Sequence, residues 1–217
     1  AFVDYNKEEC RDLILHIFSK QRSDGWYPRQ IPAKGAEKFD LRHYIDSACF
    51  FSEFVYEYIV STNDFSIFDE MLPYYDSDLK EDGFTHYKKG LDYLMQKDSI
   101  GEHGLVKIQG GDWLDPLGGI GSKGRGESVM VSAQLIIAIE QLLDLTKNCK
   151  DIDRKTYQKF AKSLKENINK YSYNEYGYYN AIFTDEGDWL FSNKDRDGEK
   201  RLYIPTKEYV LACGRAN

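Results

Sequence analysis

Apolar residues recur at spacings of three and four through most of this chain, and this period restricts it largely to amphipathic helices. The first such stretch predicts a helix over 7–20, with Cys10, Leu13, Ile14, Ile17 and Phe18 on one face. Others predict helices over 46–61, 84–97, 127–147 and 204–212, and one more that begins at Asp151 or Asp153. Asp64 is expected to cap a short helix that runs through Met71. The pattern predicts an all-α fold of about six long helices.

The segments between these helices are long and rich in turn residues. They comprise 26–40, an acidic loop over 76–82, the glycine-rich stretch 101–126, and 171–201, which has strand-like pieces between turns. No regular strand alternation accompanies them. Because loops at helix ends commonly carry function, we expect the functional residues there.

Composition excludes several classes of protein. The 217 residues carry a net charge of −7, which disfavours nucleic acid or an anionic membrane as a partner. No apolar run approaches the roughly 20 residues that a transmembrane helix needs, and no signal peptide is evident, so a cytoplasmic location is expected. The four cysteines and four histidines show no metal-ligand spacing, so neither a metal nor a cofactor is predicted.

Aromatic residues are unusually abundant, with 17 Tyr, 12 Phe and 3 Trp. Such rings fill a hydrophobic core, and they also line sugar-binding clefts, where they stack on pyranose faces. Composition alone favours the core.

The segment with the clearest chemistry is 110–119, in which Asp112 and Asp115 flank Trp113 inside a glycine-rich loop. A carboxylic acid beside an indole is partly desolvated, so its pKa rises and it can protonate a leaving oxygen. The alternative is a tight turn in which both aspartates accept hydrogen bonds from backbone amides. The sequence gives the two interpretations about equal weight.

Charged residues at two helix starts are further candidates. Arg125 lies just before the helix over 127–147, where a cation and free amides can hold an anion. Glu127 lies in the first turn of that helix, and a helix-start role is its simpler interpretation. Arg29, Arg42 and Asp46 flank the second helix and are suited to bonding vicinal sugar hydroxyls. The simpler interpretation is a capping aspartate with surface arginines.

Taken together, these motifs resemble the phosphorylases of glycoside hydrolase family 94. The family signature G-D-W-N-D-G, followed by a spacer and G-E-S-V, is similar to residues 111–116 and 126–129. Its E-Y-I-x-x-T-x-D segment matches 57–64, and its helix-start arginine and aspartate match Arg42 and Asp46 loosely. The order is preserved from Arg22 to Gly214, although Leu114 and Pro116 replace the usual Asn and Gly, and Ile45 replaces the first of two paired aspartates.

The resemblance implies an (α/α)6 barrel and an inverting phosphorolysis. Asp115 would be the general acid, and inorganic phosphate would attack the anomeric carbon, so that no general base is needed. Trp113, Arg29, Arg42 and Asp46 would bind the transferred sugar, with Arg42 also a candidate phosphate contact. We assign Asp112 and Glu127 to substrate binding as well.

A barrel of six helix pairs does not fit in 217 residues at ordinary helix lengths. We therefore expect residues 1–217 to be part of a single barrel domain that is inactive alone, with the phosphate site on other segments of the parent enzyme. Expected partners are an oligosaccharide, phosphate and those segments, and a homodimer is left open.

Two other functions remain open from the sequence. One is an inverting hydrolase on the same barrel, since D-W-L-D-P strings also suit rhamnosidase-like barrels. The other is a carbohydrate-binding helical module without turnover.

Overall fold

A computed structural model describes residues 6–31, 42–113, 119–147 and 152–214. The chain divides into two compact units. The first comprises Ala1–Arg42 and Ser47–Tyr93, and the second comprises His43–Asp46 and Leu94–Asn217. No helix among the described residues has the length and apolar character needed to cross a membrane.

The described residues of the first unit include three α-helices, α1 (Lys7–Phe18), α2 (Ser47–Thr62) and α3 (Gly83–Met95). Asn6 caps α1 by accepting a hydrogen bond from the Glu9 amide at 3.1 Å. The buried face of α1 packs against α2, as its apolar spacing predicts. All three helices lie within a few residues of their predicted bounds.

A two-stranded antiparallel hairpin, β1 (Met71–Tyr74) and β2 (Ser77–Asp82), lies between α2 and α3. The prediction of an acidic loop over 76–82 is therefore wrong. No side chain of β2 is buried. A strand without a buried face has no need of apolar alternation, and so it leaves no pattern to recognise.

The second unit is built around α4 (Val129–Leu145), which packs against α5 (Arg154–Asn167) and α6 (Ile204–Ala212). Most side chains of α4 are buried, which agrees with its nearly uniform apolar sequence. Asp153 caps α5 by accepting a hydrogen bond from the Thr156 amide at 3.3 Å, so one of its two predicted starting residues is confirmed.

Four very short strands form an antiparallel sheet beside α4, in chain order: β3 (Val106–Lys107), β4 (Glu127–Ser128), β5 (Ile182–Phe183) and β6 (Trp189–Leu190). The helix-rich prediction is confirmed, but the all-α description omitted this sheet. Two-residue strands are too short to show a period of two. Closure of a barrel stays a prediction.

Asp64 joins three segments of the first unit. It caps a 3-10 helix over Phe65–Asp69, shorter than the predicted helix that ran through Met71. Its carboxylate accepts hydrogen bonds from the Tyr58 hydroxyl at 2.6 Å and from the Arg11 guanidinium at 3.1 Å. Burial alone would raise the pKa of Asp64, but these bonds and those from Ser66 outweigh burial and lower the pKa.

We expect Asp64→Asn to lower the free energy of unfolding at neutral pH by about 1–2 kcal/mol, because hydrogen bonds to a charged acceptor are lost. The folded-state pKa is depressed, so this stabilisation is present above the unfolded pKa, about 3.9, and disappears as the pH falls through the folded value. Urea denaturation at pH 7 and at about pH 2.5 measures both quantities. Asp78→Asn, on an exposed position of β2, is the control. An equal loss at both pH values would contradict the prediction.

Candidate active site

The glycine-rich loop over 110–119 is closed at its base by backbone hydrogen bonds. The Gly119 amide donates to the Gly110 carbonyl at 3.1 Å, so the two ends of the loop meet. The segment His43–Asp46 lies alongside: the Gly110 amide donates to the His43 carbonyl at 3.0 Å, and the Ile45 amide donates to the Gly111 carbonyl at 3.2 Å. Asp46 is thereby held close to the residues that start the loop.

Gly111 is required by close packing at this junction. A Cβ atom on Gly111 would lie 2.6 Å from Cε1 of the buried Tyr44 ring, well inside contact distance. Any other residue would displace the ring or the backbone. The glycine therefore lets the two segments approach.

Asp112 is buried, with 1% of its surface exposed. Its Oδ2 accepts a hydrogen bond of 2.6 Å from the Ser128 hydroxyl. Ser128 is also the N-cap of α4, since its Oγ accepts from the Val131 amide at 3.2 Å. The loop is thus tied at Asp112 to the N-terminus of the central helix of the second unit.

Trp113, the next residue, is 59% exposed. An exposed indole offers a flat apolar face of the kind that stacks on a sugar ring. Its neighbours 114–118, including the predicted general acid Asp115, lie outside the described residues. The role of Asp115 stays a prediction.

Glu127 has no exposed surface and is engaged within the protein. Its Oε1 accepts hydrogen bonds from the backbone amides of His103 and Leu105 at 3.1 and 3.2 Å, and its Oε2 lies 2.5 Å from Nδ1 of His103. Burial raises the pKa of Glu127, although the contacts with His103 and Leu105 partly offset that effect. A Cβ on Gly101 would lie 2.4 Å from this carboxylate, so the turn around Glu127 is tightly closed.

The remaining predicted residues are distributed between the two units. Asp46 belongs to the second unit, with Asp112, Trp113 and Glu127, and is 4% exposed. Arg29, half-buried, and Arg42, exposed, belong to the first unit. The assignment of Asp46, Arg29 and Arg42 to sugar binding stays a prediction.

Arg125 is neutralised by an acidic neighbour. Its guanidinium is 2.9 Å from the Glu102 carboxylate and lies over the Phe183 ring, 5.0 Å from the centroid. Glu102 therefore supplies an anionic partner for Arg125 from within the protein.

Sequence reasoning places Ser128 only within the G-E-S-V motif and gives no role to His103 or Tyr203. Tyr203 precedes α6, and its ring packs on Phe191 with centroids 5.2 Å apart. Burial raises the pKa of Tyr203, and the negative charge of Asp112 raises it further, so the phenol lies within electrostatic reach of that carboxylate. The only sequence signal was an aromatic residue just before a proline-initiated helix. Among the described residues, no group of three or more His, Cys, Asp or Glu side chains is arranged to hold a metal ion.

We expect Glu127→Ala to lower the free energy of unfolding by about 2–4 kcal/mol, because a buried amide and a part-buried amide lose their acceptor and a cavity forms. Urea denaturation measures the change. Glu102→Ala is the matched control, since it removes an exposed carboxylate from the adjacent turn and is expected to have little effect. Comparable losses in the two variants would show that Glu127 does not anchor residues 101–105.

Two proteins named as phosphorylases are similar in sequence to this chain. The chain is 26% identical over 215 residues to solabiose phosphorylase of Paenibacillus borealis, an alignment that covers 97% of this chain and 26% of that protein. It is 29% identical over 163 residues to N,N'-diacetylchitobiose phosphorylase of Vibrio proteolyticus, covering 74% of this chain and 19% of that protein. The chain thus spans about a quarter or less of the length of these relatives.

A solved structure, the rhamnosidase from Klebsiella oxytoca with rhamnose bound, shares the fold. Its TM-score is 0.67 at 12% sequence identity, covering 98% of this chain and 36% of that one. The family model described as Glycosyl hydrolase 94 superfamily, catalytic domain, matches residues 7–216. Because that match covers nearly the whole chain, the chain belongs to the glycosyl hydrolase 94 superfamily.

Proposed function

We propose that the complete protein is an inverting glycoside phosphorylase that cleaves β-linked glucosides or gluco-oligosaccharides with inorganic phosphate and releases a sugar 1-phosphate. The observation that carries the proposal is an exposed indole, Trp113, on a loop whose base is closed and tied to α4 through Asp112. A sugar-binding ring needs this combination of an accessible face and a fixed backbone. Membership of the family supplies the reaction class.

In the proposed reaction, Asp115 gives its proton to the glycosidic oxygen as the bond from that oxygen to the anomeric carbon breaks. A phosphate oxygen forms the new bond to the anomeric carbon from the opposite face, with inversion. Phosphate is already an anionic nucleophile, so the reaction needs one acid and no base, whereas an inverting hydrolase needs a second carboxylate to activate water.

The burial of three other carboxylates argues against each of them as the general base that a hydrolase would need. Asp46, Asp112 and Glu127 have 4%, 1% and 0% of their surface exposed. Glu127 is bonded to the amides of residues 103 and 105, and Asp112 is bonded to Ser128. A general base must reach a water molecule on the substrate, and burial withholds these groups from that role.

The proposal includes an (α/α)6 barrel to which this chain contributes part. The likeness to the rhamnosidase supports a common helical scaffold, and the N-terminus of α4 lies beside the loop that carries Trp113. Oligosaccharide and phosphate are the proposed partners, and no resident cofactor is invoked.

The first test is phosphate-dependent turnover by the complete natural polypeptide. We expect sugar 1-phosphate from short β-linked glucosides with phosphate and none without it, and a loss of about a hundredfold to ten-thousandfold in kcat for Asp115→Asn. Enzyme-coupled detection of glucose 1-phosphate measures both. Free reducing sugar formed without phosphate would indicate the hydrolase, and binding without turnover would indicate the carbohydrate-binding module.

Substitution of Trp113 tests the sugar subsite separately. We expect Trp113→Ala to lower kcat/KM for the glycoside about tenfold or more, equivalent to about 1.4 kcal/mol of transition-state stabilisation, with a smaller loss for Trp113→Phe, which keeps an aromatic face. Because Trp113 is exposed, the melting temperature should not change. An unchanged kcat/KM in Trp113→Ala would remove this residue from the subsite.

A further inference from the structure

Ser128 occupies a position where one hydroxyl serves two parts of the second unit. Its Oγ donates its single proton to Oδ2 of Asp112 at 2.6 Å and accepts from the Val131 amide at 3.2 Å. The Ser128 hydroxyl therefore acts as a donor to Asp112 and as the acceptor that caps α4. Neither Ser128 nor Asp112 is accessible to solvent, with 0% and 1% of their surfaces exposed.

The backbone of Ser128 is fixed independently of that hydroxyl. Ser128 pairs with Val106 on one side of β4 and with Ile182 on the other, and its carbonyl accepts from the Ser132 hydroxyl at 2.7 Å. Loss of the hydroxyl would therefore leave β4 in place. What it would remove is the tie to Asp112 and the cap on the first turn of α4.

Asp112 and Trp113 are consecutive residues. The orientation of the peptide that carries the exposed indole therefore depends on where the Asp112 side chain is held. A short hydrogen bond to a buried carboxylate is a strong one, since a charged acceptor roughly doubles the strength of a neutral pair. It acts from α4, the most deeply buried helix of the second unit. The indole itself is 59% exposed.

We propose that Ser128 is a positioning residue: through its hydrogen bond to Asp112 it fixes the orientation of Trp113, and hence the sugar-binding face of the loop. The catalytic consequence rests on the proposed phosphorylase function, whereas the orientation of the indole does not. Small misplacements of a substrate-positioning group cost activity, because reacting atoms must be held within fractions of an ångström.

The test uses the complete natural polypeptide labelled with 5-fluorotryptophan and observed by 19F NMR, with the Trp113 resonance assigned from the Trp113→Phe variant. We expect Ser128→Ala to shift or broaden the Trp113 resonance, and Ser128→Thr, which keeps the hydroxyl, to restore it. The matched control is Thr146→Val, which removes a buried hydroxyl that donates to the Leu142 carbonyl at 2.6 Å. Thr146 lies at the other end of the same helix, about 25 Å away at ordinary helical rise. The Thr146→Val substitution should leave the Trp113 resonance unchanged.

Turnover gives the second readout. We expect kcat/KM for the glycoside to fall about tenfold in Ser128→Ala while KM for phosphate stays unchanged, because the tie acts on the sugar side. Melting temperatures of Ser128→Ala and Thr146→Val separate positioning from a general loss of stability. An unmoved Trp113 resonance in folded Ser128→Ala, or an equal change in Thr146→Val, would overturn the inference. If the wild type releases no sugar 1-phosphate but the resonance moves, the proposed function fails and the positioning role stands.

Discussion

The structure of the second unit depends on the pair of buried polar side chains at the junction of β4 and α4. Successive residues of a strand point to opposite sides, so Glu127 and Ser128 act on different segments. The Glu127 carboxylate accepts hydrogen bonds from the backbone amides of residues 103 and 105, and the Ser128 hydroxyl donates one to Asp112. Leaving a buried polar group without its hydrogen-bond partner costs much more free energy than losing a hydrogen bond at the surface. Each of these bonds therefore constrains the turn that it holds.

This arrangement explains why a chain of mostly helical sequence contains a sheet at all. The four strands carry only two residues each, yet they align the starts and ends of several loops at one end of α4. Without the sheet, the backbone groups of residues 106–107, 127–128 and 182–183 would lose their pairing partners. The sheet therefore provides regular backbone structure next to the glycine-rich segments.

The helices followed from the sequence because their apolar period is long and regular. Asp153 and Asp64 were also recognisable as caps, since a short acidic side chain before an apolar run has a direct physical role. The strands did not follow, because hydrogen bonding between distant residues, and not local pattern, defines them. At the candidate site, the sequence identified Trp113 and the carboxylates around it. It could not reveal that Asp112 and Glu127 are buried and bonded to Ser128 and to residues 103 and 105, because such partners are set by tertiary contacts.

The closed base of the loop has a consequence for how proteins of this kind diversify. Gly110 and Gly119 are joined by a backbone hydrogen bond of 3.1 Å, so the ends of the loop are held together irrespective of the side chains between them. The cost of changing loop length between fixed ends rises only slowly with the number of residues. A loop on such a base can therefore change in length or sequence without loss of the backbone hydrogen bond that closes it.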